Sequence, residues 1–400
     1  MFDENEFRTL LAEADVPPTR VDTGQVLRNG RRRVRRRRLA GVGSTLAVAV
    51  AAAVTVPLII SSPGRGQQPD PATGTAAPSA TAVPSPSHSP IACSVTALAM
   101  PPEHQAWQAN PKFHGVEVNA ADPTGRYIGG HAVIGQNFVP ILWTDGVPKV
   151  LSIDPTTASI DAINEHGVVV GIAGLTDRRA YRYQAGTVTT LRAPTGKPWL
   201  YPQPDVNASG DVVMNAKPAD AQDDMSRTVT ALWKAGSDTP VIVPLPVGAN
   251  VQGITDDGMI FGGISNSDGF VQDAYLWDQQ GQGRKLAVPG GGTANAIAAR
   301  GDWVTGGAWR DTQSDPVVML WNLRTGAAKE VTSGLGVFVN SSGRVINGAP
   351  VGTVLVDGVT LTLPTVVAGG EATARALADD GTIFGDSFDG RKSVPQQWRC

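Results

Sequence analysis

Five histidines, two cysteines and 36 acidic residues are the side chains of this 400-residue chain that could do acid–base, nucleophilic or metal chemistry, and their spacing argues against most of it. His88 falls in a Pro- and Ser-rich stretch, His104 and His114 near the start of the repeated part, His166 in a turn, and His131 in a loop between two strands. No His-x-x-His or Cys-x-x-Cys pair offers metal-ligand spacing. Asp256-Asp257-Gly258 and Asp379-Asp380-Gly381 have the composition of hairpin turns, which need no ion. Gly290-Gly291-Gly292 reads as a connector, because no Gly-rich segment has the strand-to-helix setting of a phosphate loop. The expectation is no catalytic set, no metal and no cofactor.

Recognition is the chemistry that remains. Arg178, Arg179, Trp199, Tyr201, Asp223, Asp224, Phe270, Trp309, Arg310, Asp311, Asp386 and Arg391 fall between strands, where aromatics beside Arg and Asp suit sugar or peptide binding. These loops are expected on one end of the domain, where sequence varies freely.

The elements that must hold such loops are repeated hairpins. An aliphatic strand, an Asn or small residue, two variable residues, Gly and a second aliphatic run recur, as in Ile163-Asn164-Glu165-His166-Gly167-Val168-Val169-Val170-Gly171 and Ile254-Thr255-Asp256-Asp257-Gly258-Met259-Ile260-Phe261-Gly262. The turn glycines stand at 125, 167, 210, 258, 301, 343 and 381, a period of about 43 residues, and the first copy, from Asn119, carries a longer turn. Gly supplies the positive φ of a tight turn, and Asn or Asp favours the same turn. A second hairpin follows each first one, its leading strand ending in an aromatic: Leu142-Trp143, Tyr181-Arg182-Tyr183, Leu232-Trp233, Leu276-Trp277, Leu320-Trp321. Four antiparallel strands per 40 to 45 residues is the period of a propeller blade, and the aromatics are expected to pack between blades. The expected fold is an all-β, seven-bladed β-propeller over residues 93–400.

The last unit stops at Gln396-Gln397-Trp398-Arg399-Cys400, where its outer strand should begin, and Cys93-Ser94-Val95-Thr96-Ala97-Leu98 has the alternation of the missing strand. The N-terminal strand is therefore expected to complete the last blade, removing an open edge. Cys93 and Cys400 would then meet in a disulfide suited to an oxidising exterior.

The Asn-x-x-Gly-x-aliphatic-aliphatic-Gly turn, as at Asn164 to Gly171, and the Ala-aromatic-Leu-Trp strand at Ala274 to Trp277 resemble the HAF-type extracellular repeat, over Val116 to Trp398. The His of that family's tripeptide is absent from every copy, Asp273-Ala274-Tyr275 and Arg179-Ala180-Tyr181 being the nearest approaches. The resemblance implies an exported repeat domain with no assigned activity, on a membrane protein like those of GC-rich Gram-positive bacteria.

The net charge of −3 hides an asymmetry: residues 1–38 hold ten Arg and six acids, leaving 23 bases and 30 acids for the remainder. Arg31, Arg32, Arg33, Arg35, Arg36, Arg37 and Arg38 directly precede 22 residues, 39–60, without an ionisable group. At about 1.5 Å per residue such a helix covers about 33 Å, enough to cross a bilayer once. The Arg run orients the N-terminus to the cytoplasm and suits anionic headgroups better than nucleic acid. Residues 1–38 are expected as a cytoplasmic arm with a short helix over 5–15, and residues 61–92, rich in Pro, Ser, Ala and Thr, as a disordered linker. The whole reads as a single-pass plasma-membrane protein, monomeric, presenting an extracellular binding or scaffold module to a protein or cell-wall polymer. Two alternatives stand beside that reading: a propeller glycosidase or lactonase with acidic residues converging at the axial mouth, and a transmembrane sensor signalling through residues 1–38.

Overall fold

The computed structural model describes residues 93–400 apart from 154–156, 176, 195–198, 202, 222–226, 267–269, 312–313, 348–352 and 357–358. The arm, its arginines, the 39–60 segment, the linker, Asp223 and Asp224 lie outside the described residues. Among the described residues no helix is long and apolar enough to cross a membrane.

The chain is all-β apart from one helix, α1 (His104–Gln108), and a single 3-10 turn among the described residues. After β1 (Ser94–Ala97) the strands come in sequential antiparallel sets that match the repeats. The first unit is β2 (Phe113–Ala121), β3 (Tyr127–Ile134), β4 (Asn137–Thr144) and β5 (Val147–Val150). The second is β6 (Ala162–Ile163), β7 (Val169–Ala173), β8 (Arg179–Gln184) and β9 (Thr187–Thr190). In the third, β10 (Trp199–Leu200) and β11 (Asp205–Val206) both pair with β12 (Val212–Pro218), followed by β13 (Val229–Trp233) and β14 (Val241–Val243). The fourth is β15 (Ala249–Ile254), β16 (Ile260–Ser265), β17 (Val271–Trp277) and β18 (Gly283–Lys285). The fifth is β19 (Thr293–Arg300), β20 (Trp303–Trp309), β21 (Val317–Asn322) and β22 (Ala328–Ser333). The sixth has two hairpins, β23 (Gly336–Val339) with β24 (Val345–Asn347) and β25 (Thr353–Val356) with β26 (Val359–Thr362). The last is β27 (Glu371–Leu377), β28 (Ile383–Phe388) and β29 (Ser393–Arg399).

β1 supplies the fourth strand of the last unit, antiparallel to β29 from Ser94↔Arg399 to Ala97↔Gln396, and Cys93 and Cys400 are disulfide-bonded beside this pairing. The buried indoles show the same arrangement. Trp233 donates through Nε1 to Arg192 O (3.1 Å), Trp321 to Ala287 O (2.6 Å) and Trp398 to Pro364 O (2.6 Å). Each acceptor lies two residues past the outer strand of the preceding unit, which ends at Thr190, Lys285 or Thr362. Trp143 of the first unit donates to Ala99 O (2.7 Å), two residues past the end of β1. β1 thus stands to the first unit as β9 stands to the third.

The turn asparagines do more than bend the chain. Asn164 Oδ1 accepts from His166 N and Val168 N within its own turn, while its Nδ2 donates to Asn207 O of the next unit at 2.9 Å. Asn207 donates likewise to Thr255 O (3.3 Å), and Asn340 to Ala378 O (3.4 Å). From the last unit to the first the link is Asp379 N to Pro123 O, 2.7 Å. The hydrophobic clusters also lie between neighbours: Val116, Val118, Ile128 and Trp143 pack with Ala376, Ala378 and Phe384, joining the first unit to the last.

All seven turn glycines have positive φ, from 55° at Gly301 to 87° at Gly381. The second glycine of the motif has a different cause. A Cβ on Gly171 would sit 1.9 Å from Ser159 O, and on Gly262, 2.2 Å from Asn250 O, because a first-strand carbonyl lies directly over it.

Three sequence expectations need correction. The first turn is longer, by one residue, Ala121 pairing with Ile128 where Ile163 pairs with Val169, but it starts later than expected: Asp122, not Asn119, holds the Asn164 position, its carboxylate accepting from Thr124 N and Tyr127 N. His131 is not in a loop but inside β3, opposite Glu117. Asp386 likewise lies inside β28 and is buried.

Candidate functional site

Arg178, Arg179, Trp199 and Tyr201 converge on one groove of about 310 Å³ between the second and third units, within the usual size range of ligand pockets. Asp177, Arg178 and Arg179 come from the approach to β8, Thr190 to Ala193 from the end of β9, and Trp199 to Tyr201 from β10 and the residue after it. Arg179 Nε is held by Asp177 Oδ2 at 3.0 Å, and Arg192 Nε by Asp238 Oδ2 at 2.9 Å. Arg178 is exposed and makes no ion pair or hydrogen bond among the described residues. Trp199 spends its indole N–H on Pro194 O (2.6 Å), so its ring offers the groove apolar surface. Tyr201 is buried edge-to-face on Trp233, and its hydroxyl has no partner among the described residues. Burial pushes that hydroxyl up to about 12. Arg192 was missed in sequence because nothing local marks a residue just past an outer strand.

The other loop candidates are elsewhere. Phe270 precedes β17 and Trp309 closes β20. Arg310 is committed to Pro289 O, Gly291 O and Glu330, and Asp311 closes a local turn with Ser314. Arg391 is exposed on the turn before β29.

Asp386 belongs to a buried polar seam between the last and first units. Its carboxyl accepts from Val118 N and from Arg375 Nε (3.4 Å), and burial, only partly offset by Arg375, pushes it up to about 7. Asn215 plays the same part between the third and fourth units, accepting from Val251 N at 3.1 Å. Beside Asp386, Glu117 lies 3.4 Å from Ser393 Oγ and 3.8 Å from His131 Nε2. The carboxylate of Glu117 thus stands between hydroxyl and imidazole, which is not the order of a nucleophile and its base. Burial, with Arg375 adding to it, lowers His131 to about 4.

Acidic residues do converge at the turn end of the units, but on a guanidinium. Arg300 contacts Glu165 (3.5 Å), Asp256 (2.7 Å) and Asp379 (3.2 Å), from the second, fourth and last units. The second oxygens of Asp256 and Asp379 accept from Ala208 N and Ser341 N. These carboxylates are occupied in holding turns together. The sequence signal for this cluster is Arg300 itself, an Arg at the turn position that Asp122, Asn164, Asn207, Thr255, Asn340 and Ala378 hold in the other units. Among the described residues no group of three or more His, Cys, Asp or Glu could hold a metal ion.

No protein-family model matches the chain, and no curated protein matches it by sequence. Solved structures do resemble it. The oligogalacturonate lyase of Vibrio parahaemolyticus aligns with a TM-score of 0.53 at 12% identity, over 76% of this chain and 93% of its own. An oligogalacturonate lyase in complex with manganese gives 0.51 at 11%, over 72% and 90%. The β-propeller domain of the Trilobed protease from Pyrococcus furiosus, described as having an open velcro topology, gives 0.51 at 9%, over 72% and 96%. At such identities the likeness is one of fold: this chain has an all-β, propeller-like fold.

Proposed function

We propose that residues 93–400 form a seven-bladed propeller displayed outside the cell by a single-pass anchor, and that it is a binding module for a protein or cell-wall polymer. Closure of the ring by β1 is supported by the Trp143–Ala99 bond, the Asp379–Pro123 bond and the Cys93–Cys400 disulfide. Export is supported by the Arg run before the uncharged 39–60 segment, by the disulfide and by the resemblance to HAF-type repeats.

The observation that carries the binding reading is the groove, where Arg178, Arg179, Trp199 and Tyr201 meet from segments separated in sequence. Against it the enzyme reading has the acidic cluster at the turn end, whose carboxylates are tied to Arg300 and to backbone N–H groups. The test is co-sedimentation of the oxidised protein with insoluble cell envelope, alongside capture of envelope proteins on the immobilised protein. Retention on wall polymer, or capture of one defined protein, supports a binding module. Retention of neither by folded protein removes it.

A further inference from the structure

We propose that the groove between the second and third units is a subsite for an acidic saccharide, its carboxylate or phosphate taken by Arg178 and Arg192 and its ring lying against Trp199. This rests on the binding-module reading and names the ligand for it.

The charge is the first argument. Arg178, Arg179 and Arg192 line the groove with one carboxylate, Asp177, while Asp238 holds Arg192 from outside the lining and Arg178 also acts on the buried Asp161. Arg178 has no ion-pair partner among the described residues, and the Arg192 bond to Asp238 uses Nε, leaving its terminal nitrogens outside that bond. A planar fork of donors at a groove rim suits an anionic oxygen pair.

Shape is the second. Thr190, Ala193 and Ala219 give the rest of the lining small side chains. β10, the edge strand beside the groove, is only two residues long, too short a template for a peptide strand to extend. Trp199, its N–H engaged, presents apolar ring surface, and Leu200 beside it is 39% exposed. An apolar patch next to the guanidiniums of Arg178 and Arg192 matches a sugar ring bearing an acid group. The Tyr201 hydroxyl beneath the floor has no partner among the described residues.

The experiment is calorimetric titration of the full-length protein in detergent micelles with three probes of equal length: a uronic-acid oligosaccharide, a polyol-phosphate saccharide and a neutral oligosaccharide. One acidic probe should bind and the neutral one should not, and which acidic probe binds tells carboxylate from phosphate. Raised salt should weaken the interaction. Arg178→Gln and Arg178→Glu, at an exposed position and each checked for an unchanged unfolding midpoint because Arg178 also acts on buried Asp161, should weaken it by about tenfold or more, as should Trp199→Ala, while Arg391→Glu should not. Equal binding of the neutral probe, binding of neither acidic probe, or indifference to Arg178→Glu would overturn the proposal. If envelope still retains wild type and Arg178→Glu alike, the binding module stands and this site alone falls.

Discussion

Arg300 reaches Asp379 across 79 residues of sequence, Nε and Nη2 both donating to Oδ2 at 3.3 and 3.2 Å. Its Nη1 meanwhile bonds Asp256 at 2.7 Å, so one side chain ties the fourth, fifth and last units. Replacing it with Met leaves Glu165, Asp256 and Asp379 facing one another. Because these carboxylates are about a third exposed, water moderates the repulsion, and Arg300→Met should cost about 1–3 kcal/mol. Chemical denaturation at low and high salt checks this: salt should recover part of the loss for the variant and little for wild type.

The Cys93–Cys400 bond encloses 307 residues of chain. On a chain-entropy account it contributes about 6 kcal/mol, equivalent to roughly 5–10 °C in Tm for a domain of this size. Cys93→Ser and Cys400→Ser should each lower Tm by that amount, and reducing agent should bring wild type down to meet them. A reduced wild type as stable as the oxidised form would remove the clasp from the account.

Gly171 and Gly186 make a paired test of the repeat. Gly171→Ala drives a methyl into the Ser159 carbonyl and should cost about 3 kcal/mol or more. Gly186→Ala meets open space and pays only for its positive φ, about 1 kcal/mol. Denaturant midpoints of the two variants measure the difference directly.

The contrast also shows how much could be read in advance. The period, the positive-φ turns, the strand that completes the last unit and the disulfide were legible, because each depends on local backbone chemistry or on simple matching of ends. What was hidden depends on partners far off in sequence. Asn164 reads as a turn former, and nothing near it tells that its amide grips Asn207 of the next unit. Asp386 reads as a loop acid, although it is buried where Asn215 stands in another unit. Of the loop candidates, four met in one groove and the rest did not, since neighbouring loops of a twisted sheet diverge as readily as they converge.

Stability should rise as the solution becomes mildly acidic. Burial raises Asp161 to about 7, Asp205 to about 6 and Asp386 to about 7, so the folded chain holds protons that the unfolded chain releases above the ordinary carboxylate range. The stabilisation is complete below that range and is lost as pH rises through 6 to 7. His131, lowered to about 4, opposes this as pH falls below the usual histidine value, but it is one group against three. Tm should therefore climb from about pH 8 to roughly 5.5. Asp386→Asn should flatten the rise while keeping the Val118 bond, as Asn215 keeps its own to Val251.

The binding reading is tested most directly by co-sedimentation of the oxidised protein with insoluble cell envelope, wild type beside Arg178→Glu. The account predicts that wild type is retained, that salt releases it, and that Arg178→Glu stays in the supernatant. Wild-type protein that is folded, oxidised and left wholly in the supernatant, with no envelope protein captured in parallel, would contradict it.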